Sequence, residues 1–205
     1  MTLPTSYGWY PIGQTQHIAY EAPQGRRVNA IGAYCSHGPQ AGHLVFATYA
    51  SVPKSTARKV RKTREEIAAA HQVDAHCLGP IDGERLIAFI WHLSGRPSVH
   101  ADDWRRERRL VLVLDNYSVH KGKAVKDALA ALEAANIALF YLPSYSPELS
   151  AIEPIWRSVK GHGMPYRTQT VLGQAKQAVD NALTQKASEL LKAKSKTTNI
   201  GRLAA

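Results

Sequence analysis

The chain has 205 residues, an apolar fraction of 44% and a formal net charge of +10. That length can bury a full core in one domain, at most one domain plus an appendage, and the basic balance favours polyanions such as DNA, RNA or anionic lipid as partners. No apolar run approaches the length of a bilayer span, residues 1–6 carry neither the charged nor the apolar region of a secretory signal, and Cys35 and Cys77 read as free thiols of a cytosolic chain rather than a disulfide framework.

Residues 28–35 are short, small and apolar, residues 36–42 form turns, and residues 43–50 resume β-prone types. This pattern predicts an antiparallel hairpin. A basic stretch, 51–79, follows, helix-prone between Thr63 and His71. Asp82 is placed to cap a helix with Leu86, Ile87, Ile90 and Trp91 on one face, ended by Gly95-Arg96-Pro97. Residues 110–114, Leu-Val-Leu-Val-Leu, are a continuous aliphatic run of strand length, the pattern of a central strand covered on both faces. Val125, Ala128, Leu129 and Leu132 recur at helical spacing. Residues 137–142 give another strand, stopped by Pro143. The unit 110–142 is therefore strand–helix–strand, a parallel pair with a right-handed crossover. A helix starts near Ile152, with Pro154 tolerated in its first turn and Gly161-His162-Gly163 as its terminator. A long helix is expected over 172–194, with Ala175, Val179, Ala182, Leu183 and Leu190 on one side, and a frayed tail over 194–205. The order of elements gives an α/β class, a mixed sheet with helices.

Two carboxylates stand at informative places. Asp115 is the first residue past the strongest strand, where ligand sites gather in sheets with parallel strands. Glu153 opens the helix that returns after the next strand. A strand-end acid and a helix-start acid can converge on divalent ions such as Mg²⁺, which take hard oxygen ligands and keep positions open for phosphate and water. The plainer readings are that Asp115 and Asn116 cap the following helix, and that Glu153 complements a helix dipole or pairs with Arg157. Two basic runs add phosphate-contact candidates: Lys54, Arg58, Lys59, Arg61, Lys62 and Arg64, and then Arg105, Arg106, Arg108 and Arg109. The first is the candidate for direct contact with a DNA backbone; either run alone also fits a solvated surface. Cys35, His37, His71, His76 and Cys77 match no common zinc-finger spacing and read as structural or exposed.

The wording around the two acids is specific. Asp-Asn-Tyr-Ser-Val-His at 115–120 and Leu-Pro-Ser-Tyr-Ser-Pro-Glu-Leu-Ser-Ala-Ile-Glu-Pro-Ile-Trp at 142–156 closely resemble the second and third catalytic blocks of DDE transposases, in the bacterial insertion-sequence branch of the mariner superfamily. The thirty-seven residues between Asp115 and Glu153 are similar to that family's spacing, and Tyr-Gly-Trp-Tyr-Pro-Ile-Gly-Gln at 7–14 looks like the block following its first catalytic strand. The resemblance runs over about 7–165 and implies an RNase H-like mixed sheet flanked by helices. It places the catalytic domain at 1–170, with a basic insertion near 53–80 and a C-terminal helix and tail at 171–205. It implies two Mg²⁺ or Mn²⁺ ions held by Asp115 and Glu153 as catalytic residues, and cleavage and strand transfer on double-stranded DNA at transposon ends and target. Asn116 and His120 match the motif without an assigned role. Tyr145, Ser146 and Pro147 would shape the loop before the Glu153 helix, and Trp156 would pack that helix against the sheet.

One departure from the family pattern matters. Its first Asp ends a strand upstream of the Gly-Trp block, and here no acid stands before Tyr7. Asp74, Asp82, Asp102 and Asp103 all fall after the hairpin. The expectation is a catalytic portion without its first strand or its helix-turn-helix region, inactive or nearly so because a ligand is lost. The expected setting is cytoplasmic and bacterial, at the nucleoid, with assembly as a homodimer or with a full-length transposase. The competing readings are a non-catalytic DNA-binding fragment acting as accessory or inhibitor, and an RNase H-like nuclease whose further acid lies elsewhere.

Overall fold

A computed structural model describes residues 11–13, 26–52, 62–98, 103–144, 146–164 and 171–203, with backbone alone for 147 and 196–203. β1 (Arg27–Tyr34) and β2 (Leu44–Ser51) form the expected antiparallel hairpin, with Arg27 opposite Ser51 and Tyr34 opposite Leu44. Its turn closes through Cys35 N–H to His43 O (2.9 Å) and Gly42 N–H to Cys35 O (2.7 Å). Gly38 and Gly42 supply the positive φ that this tight path needs.

α1 (Arg64–Ala70) begins at a reciprocal cap: the Thr63 hydroxyl accepts from Glu66 N–H, and the Glu66 carboxylate accepts from Thr63 N–H. A short 3₁₀ turn, Ala75–Cys77, leads to α2 (Gly83–Ser94). As expected, the Asp82 carboxylate caps α2 by accepting from Arg85 N–H at 2.9 Å, and Gly95 in the left-handed region ends it. Leu86 and Ile90 are buried from α2, and so is Phe89, which the helical spacing had not singled out.

β3 (Leu110–Leu114), α3 (Lys123–Ala134) and β4 (Ile137–Tyr141) make the strand–helix–strand unit. The strands are parallel, with Leu110 opposite Ile137 and Leu114 opposite Tyr141. Two expectations fail here. β3 is not covered on both faces: Val111 and Val113 are each 55% exposed, alternating with the half-buried Leu110, Leu112 and Leu114. Leu110 and Leu112 face the core built with α2 and α3, while the other face looks out past β4's exposed Phe140. An unbroken aliphatic run states strand length but not which face is covered. On α3, Val125 and Leu132 are buried, but Leu129 lies on the rim and is exposed.

α4 (Glu153–Ser158) carries Pro154 in its first turn and widens into a π-helical turn, Val159–Gly163, so the two glycines close the helical path. α5 (Leu172–Leu203) runs on where a frayed tail was expected. Residues 191–199 hold no proline and several good helix formers, so nothing stops propagation there.

The helices flank an antiparallel pair and a parallel pair, an α/β arrangement compatible with an RNase H-like mixed sheet. Two apolar cores hold it. Leu86, Ile90, Val125, Leu132, Ala135 and Ile137 form the first, with Ile31 of β1 packed against it. Leu44, Ile155, Val159, Ala182 and Leu183 form the second, with Trp156 and Phe46 packed against it. One buried polar contact joins α5 to β2. The Thr48 hydroxyl donates to the Asp180 carboxylate, whose other oxygen lies 2.8 Å from Lys176 Nζ. Among the described residues no helix is long and apolar enough to cross a membrane.

Candidate active site

The end of β3 is tied down by its own side chains. Asp115 Oδ1 accepts from Tyr117 N–H at 3.0 Å, folding the chain into a local turn, and lies 2.8 Å from His120 Nδ1. That nitrogen is also 3.1 Å from the Asp115 carbonyl oxygen. His120 sits in a 3₁₀ turn, Ser118–Lys121, with the Tyr117 ring edge-on to its imidazole at 6.0 Å between centroids. The Tyr141 hydroxyl donates to His120 O at 2.8 Å, and the Asn116 side-chain amide donates to Leu142 O. Both bonds fasten the loop after β3 to the end of β4.

Glu153 is placed differently. The chain leaves β4 through Pro143, makes a 3₁₀ turn at Pro147–Leu149, and enters α4 with Glu153 N–H donating to Ser150 O at 3.1 Å. Ile155 and Val159, buried in the second core, anchor the helix. Trp156 packs it onto β1, as its position suggested: the indole lies over Gly32, where a Cβ would come within 2.8 Å of Cη2. The exposed Glu153 carboxylate forms no pair with Arg157 and has no hydrogen-bond or ion-pair partner among the described residues.

Both acids line one cleft of about 650 Å³. It is lined by residues of β1 (Arg27 and 29–34) and β3 (111–114), by Leu86, Phe89 and Ile90 of α2, by Ser150, Ile152, Glu153 and Trp156, and by Asp115, Tyr117 and His120. β1 pairs only with β2 and β3 only with β4 among the described residues, so each strand has an edge unpaired in the sheets. Asp115 and Glu153, from different elements, both line this cleft, and carboxylate oxygens are the hard donors that a divalent cation takes. The set is short, however: among the described residues no group of three His, Cys, Asp or Glu side chains could hold a metal ion.

Of the basic candidates, Lys54, Arg58, Lys59 and Arg61 lie outside the described residues, as does Tyr145. Lys62 is exposed beside α1. Arg64 is engaged internally, its Nε donating to Ala75 O at 2.8 Å and its Nη2 to Leu78 O. Arg106 donates to Ser94 O, and Arg109 pairs with Glu133 at 2.7 Å. The sequence pattern gave no hint of Tyr141 as a support of this loop. An aromatic at the end of a strand reads as packing, and its hydroxyl finds His120 only through the parallel pairing of β3 and β4.

A family model described as DDE superfamily endonuclease matches residues 2–170. The chain belongs to that family. Its members are nuclease- or transposase-type enzymes that act on DNA and generally use divalent metal ions, and the cleft with Asp115 and Glu153 lies within the matched span. No curated protein matches the chain.

Proposed function

We propose that this DDE endonuclease is the catalytic portion of a transposase of the bacterial insertion-sequence, mariner-type branch, built to cut and join DNA at transposon ends. The observation that carries the proposal is that Asp115, at a strand end, and Glu153, at a helix start, are both among the residues lining one cleft. Asp115 and Glu153 would hold Mg²⁺ or Mn²⁺, and the bound ions would supply Lewis-acid activation of the attacking oxygen and stabilisation of the leaving one. The chain's own residues orient this set: Tyr117 N–H and His120 fix the Asp115 carboxylate, and α4, seated by Ile155 and Trp156, presents Glu153. Lys62 and the basic residues before it would meet the phosphate backbone. Their approach would be salt-dependent, with each phosphate neutralised steepening the slope of log affinity against log salt by about 0.9.

The cleft between β1 and β3 is proposed as the place of a third carboxylate that completes the set, and a site of two carboxylates as inactive on DNA. Residues of β1 and β3, each of which has one edge that no described strand pairs, line this cleft and support the reading. A non-catalytic, DNA-binding role is the second reading, favoured by the +10 charge and by the two-carboxylate set. The working site is expected at the bacterial nucleoid, as a homodimer or with a full-length transposase.

The test is Mg²⁺-dependent nicking of transposon-end DNA by the purified chain, alone and as Asp115→Ala. Binding of end DNA without nicking is the expected result. Robust nicking abolished by Asp115→Ala would establish the enzyme and overturn the inactive reading. Nicking that survives Asp115→Ala would overturn the assignment of the site.

A further inference from the structure

We infer that Tyr117 is a DNA-contact residue that stacks on an unpaired nucleobase in the cleft between β1 and β3; this rests on the reading of that cleft as the DNA site. Large apolar side chains exposed one at a time are ordinary on a protein surface, whereas a cluster of them marks a binding surface. Eight are exposed among the described residues, and four of them, Val111, Val113, Tyr117 and Leu149, line this one cleft. Tyr117 is the most open of the four, at 62% exposure. Its hydroxyl has no hydrogen-bond partner among the described residues. The imidazole of His120 meets its ring at 79° rather than lying flat on it, with 6.0 Å between centroids.

The backbone beneath the ring is fixed. Tyr117 N–H donates to Asp115 Oδ1 at 3.0 Å, and Tyr117 O accepts from His120 N–H at 2.9 Å. A tyrosine so held has only its side-chain torsions to lose on binding, which keeps the cost of ordering against a flat partner small. Charge decides which part of DNA meets it. Asp115 and Glu153 line the same cleft, and Arg27 is the one lysine or arginine among the described residues lining it. Such a lining repels phosphate unless cations cover the acids, whereas a base is uncharged and brings an aromatic face of its own. Inside a duplex both faces are covered by neighbouring bases, so the base that fits belongs to a single strand or an unpaired end.

The experiment measures the affinity of the full chain for three DNAs, in EDTA so that the readout is independent of metal. They are a blunt duplex, the same duplex with a single-stranded overhang, and that overhang made abasic, which keeps its phosphates and removes its bases. Tyr117→Ala, Tyr117→Phe and Tyr117→Trp are compared, with thermal unfolding of each. The natural overhang is expected to bind about 10-fold more tightly than the abasic one. Tyr117→Ala should abolish that difference without altering the slope of log affinity against log salt, and Tyr117→Phe and Tyr117→Trp should preserve it. A folded Tyr117→Ala that still distinguishes the two overhangs overturns the inference, and so does an equal loss in Tyr117→Phe, which would put the effect on the hydroxyl. The comparison of overhangs on the unsubstituted chain needs no variant to fold: equal binding of both overturns the stacking role, leaves DNA binding standing and assigns the apolar lining to a protein partner. Binding of none of the three DNAs overturns the DNA reading of the cleft together with the inference.

Discussion

Asp115 and Glu153 face one cleft but stand on different cores. Asp115 follows β3, whose inward residues pack with α2 and α3 around Leu132 and Ile137. Glu153 opens α4, which is seated with α5 and β2 around Leu183. Asp115 is also locked by its own neighbourhood, through Tyr117 and His120, whereas Glu153 depends on the seating of its helix. The geometry of the pair is thus a property of how two cores meet. β1 joins them, with Ile31 packed against the first and Gly32 under the indole of the second.

The largest effect should come from removing a core. Leu183 is fully buried, and Leu183→Ala should cost about 2–5 kcal/mol in urea unfolding. Backbone amide shifts after Ile152 should move while those at 115–121 hold. If both sets move together, the two cores act as one unit and the contrast fails. Next comes the joint. A Cβ at position 32 meets the rigid Trp156 ring, so Gly32→Ala should destabilise by about 1–3 kcal/mol through overpacking and should displace α4. Backbone amide shifts at 153–158 should then move although neither carboxylate is altered, and unchanged shifts would show that α4 is seated without β1.

The smallest effect concerns the brace on the Asp115 side. Tyr141→Phe removes the hydrogen bond to His120 O and should cost about 0.5–1.5 kcal/mol near neutrality. Burial also pushes the Tyr141 hydroxyl up from its ordinary range near 10. Because the fold favours the neutral hydroxyl, that contribution is complete below about pH 10 and is lost as pH rises through the raised value. Unfolding followed against pH should therefore show an alkaline loss in the unsubstituted chain that Tyr141→Phe lacks. Equal alkaline slopes would place the effect elsewhere.

Local signals carried well into the structure where short-range chemistry decides the outcome. Asp82 and Gly95 bound α2 because a carboxylate and a left-handed glycine satisfy helix ends within a few residues. The Asp-Asn-x-x-x-His block was legible as a motif, and the turn it makes closes within six residues, through Tyr117 N–H on the Asp115 carboxylate and His120 Nδ1 on the Asp115 carbonyl. Pairing across long separations was not legible. Thr48 reaches Asp180 over 132 positions, and nothing in either residue announces the other.

The sequence by itself determined the kind of elements, their order and the two acids that close β3 and open α4, because strand runs, caps and motif wording are written within about ten residues. Only the tertiary structure decided that Val111 and Val113 lie open, that Arg64 is spent on the carbonyls of Ala75 and Leu78, and that the two acids belong to separate cores. Burial and pairing depend on which surfaces meet after the chain has folded back on itself, and an aliphatic or basic residue reads the same in sequence whichever surface it joins.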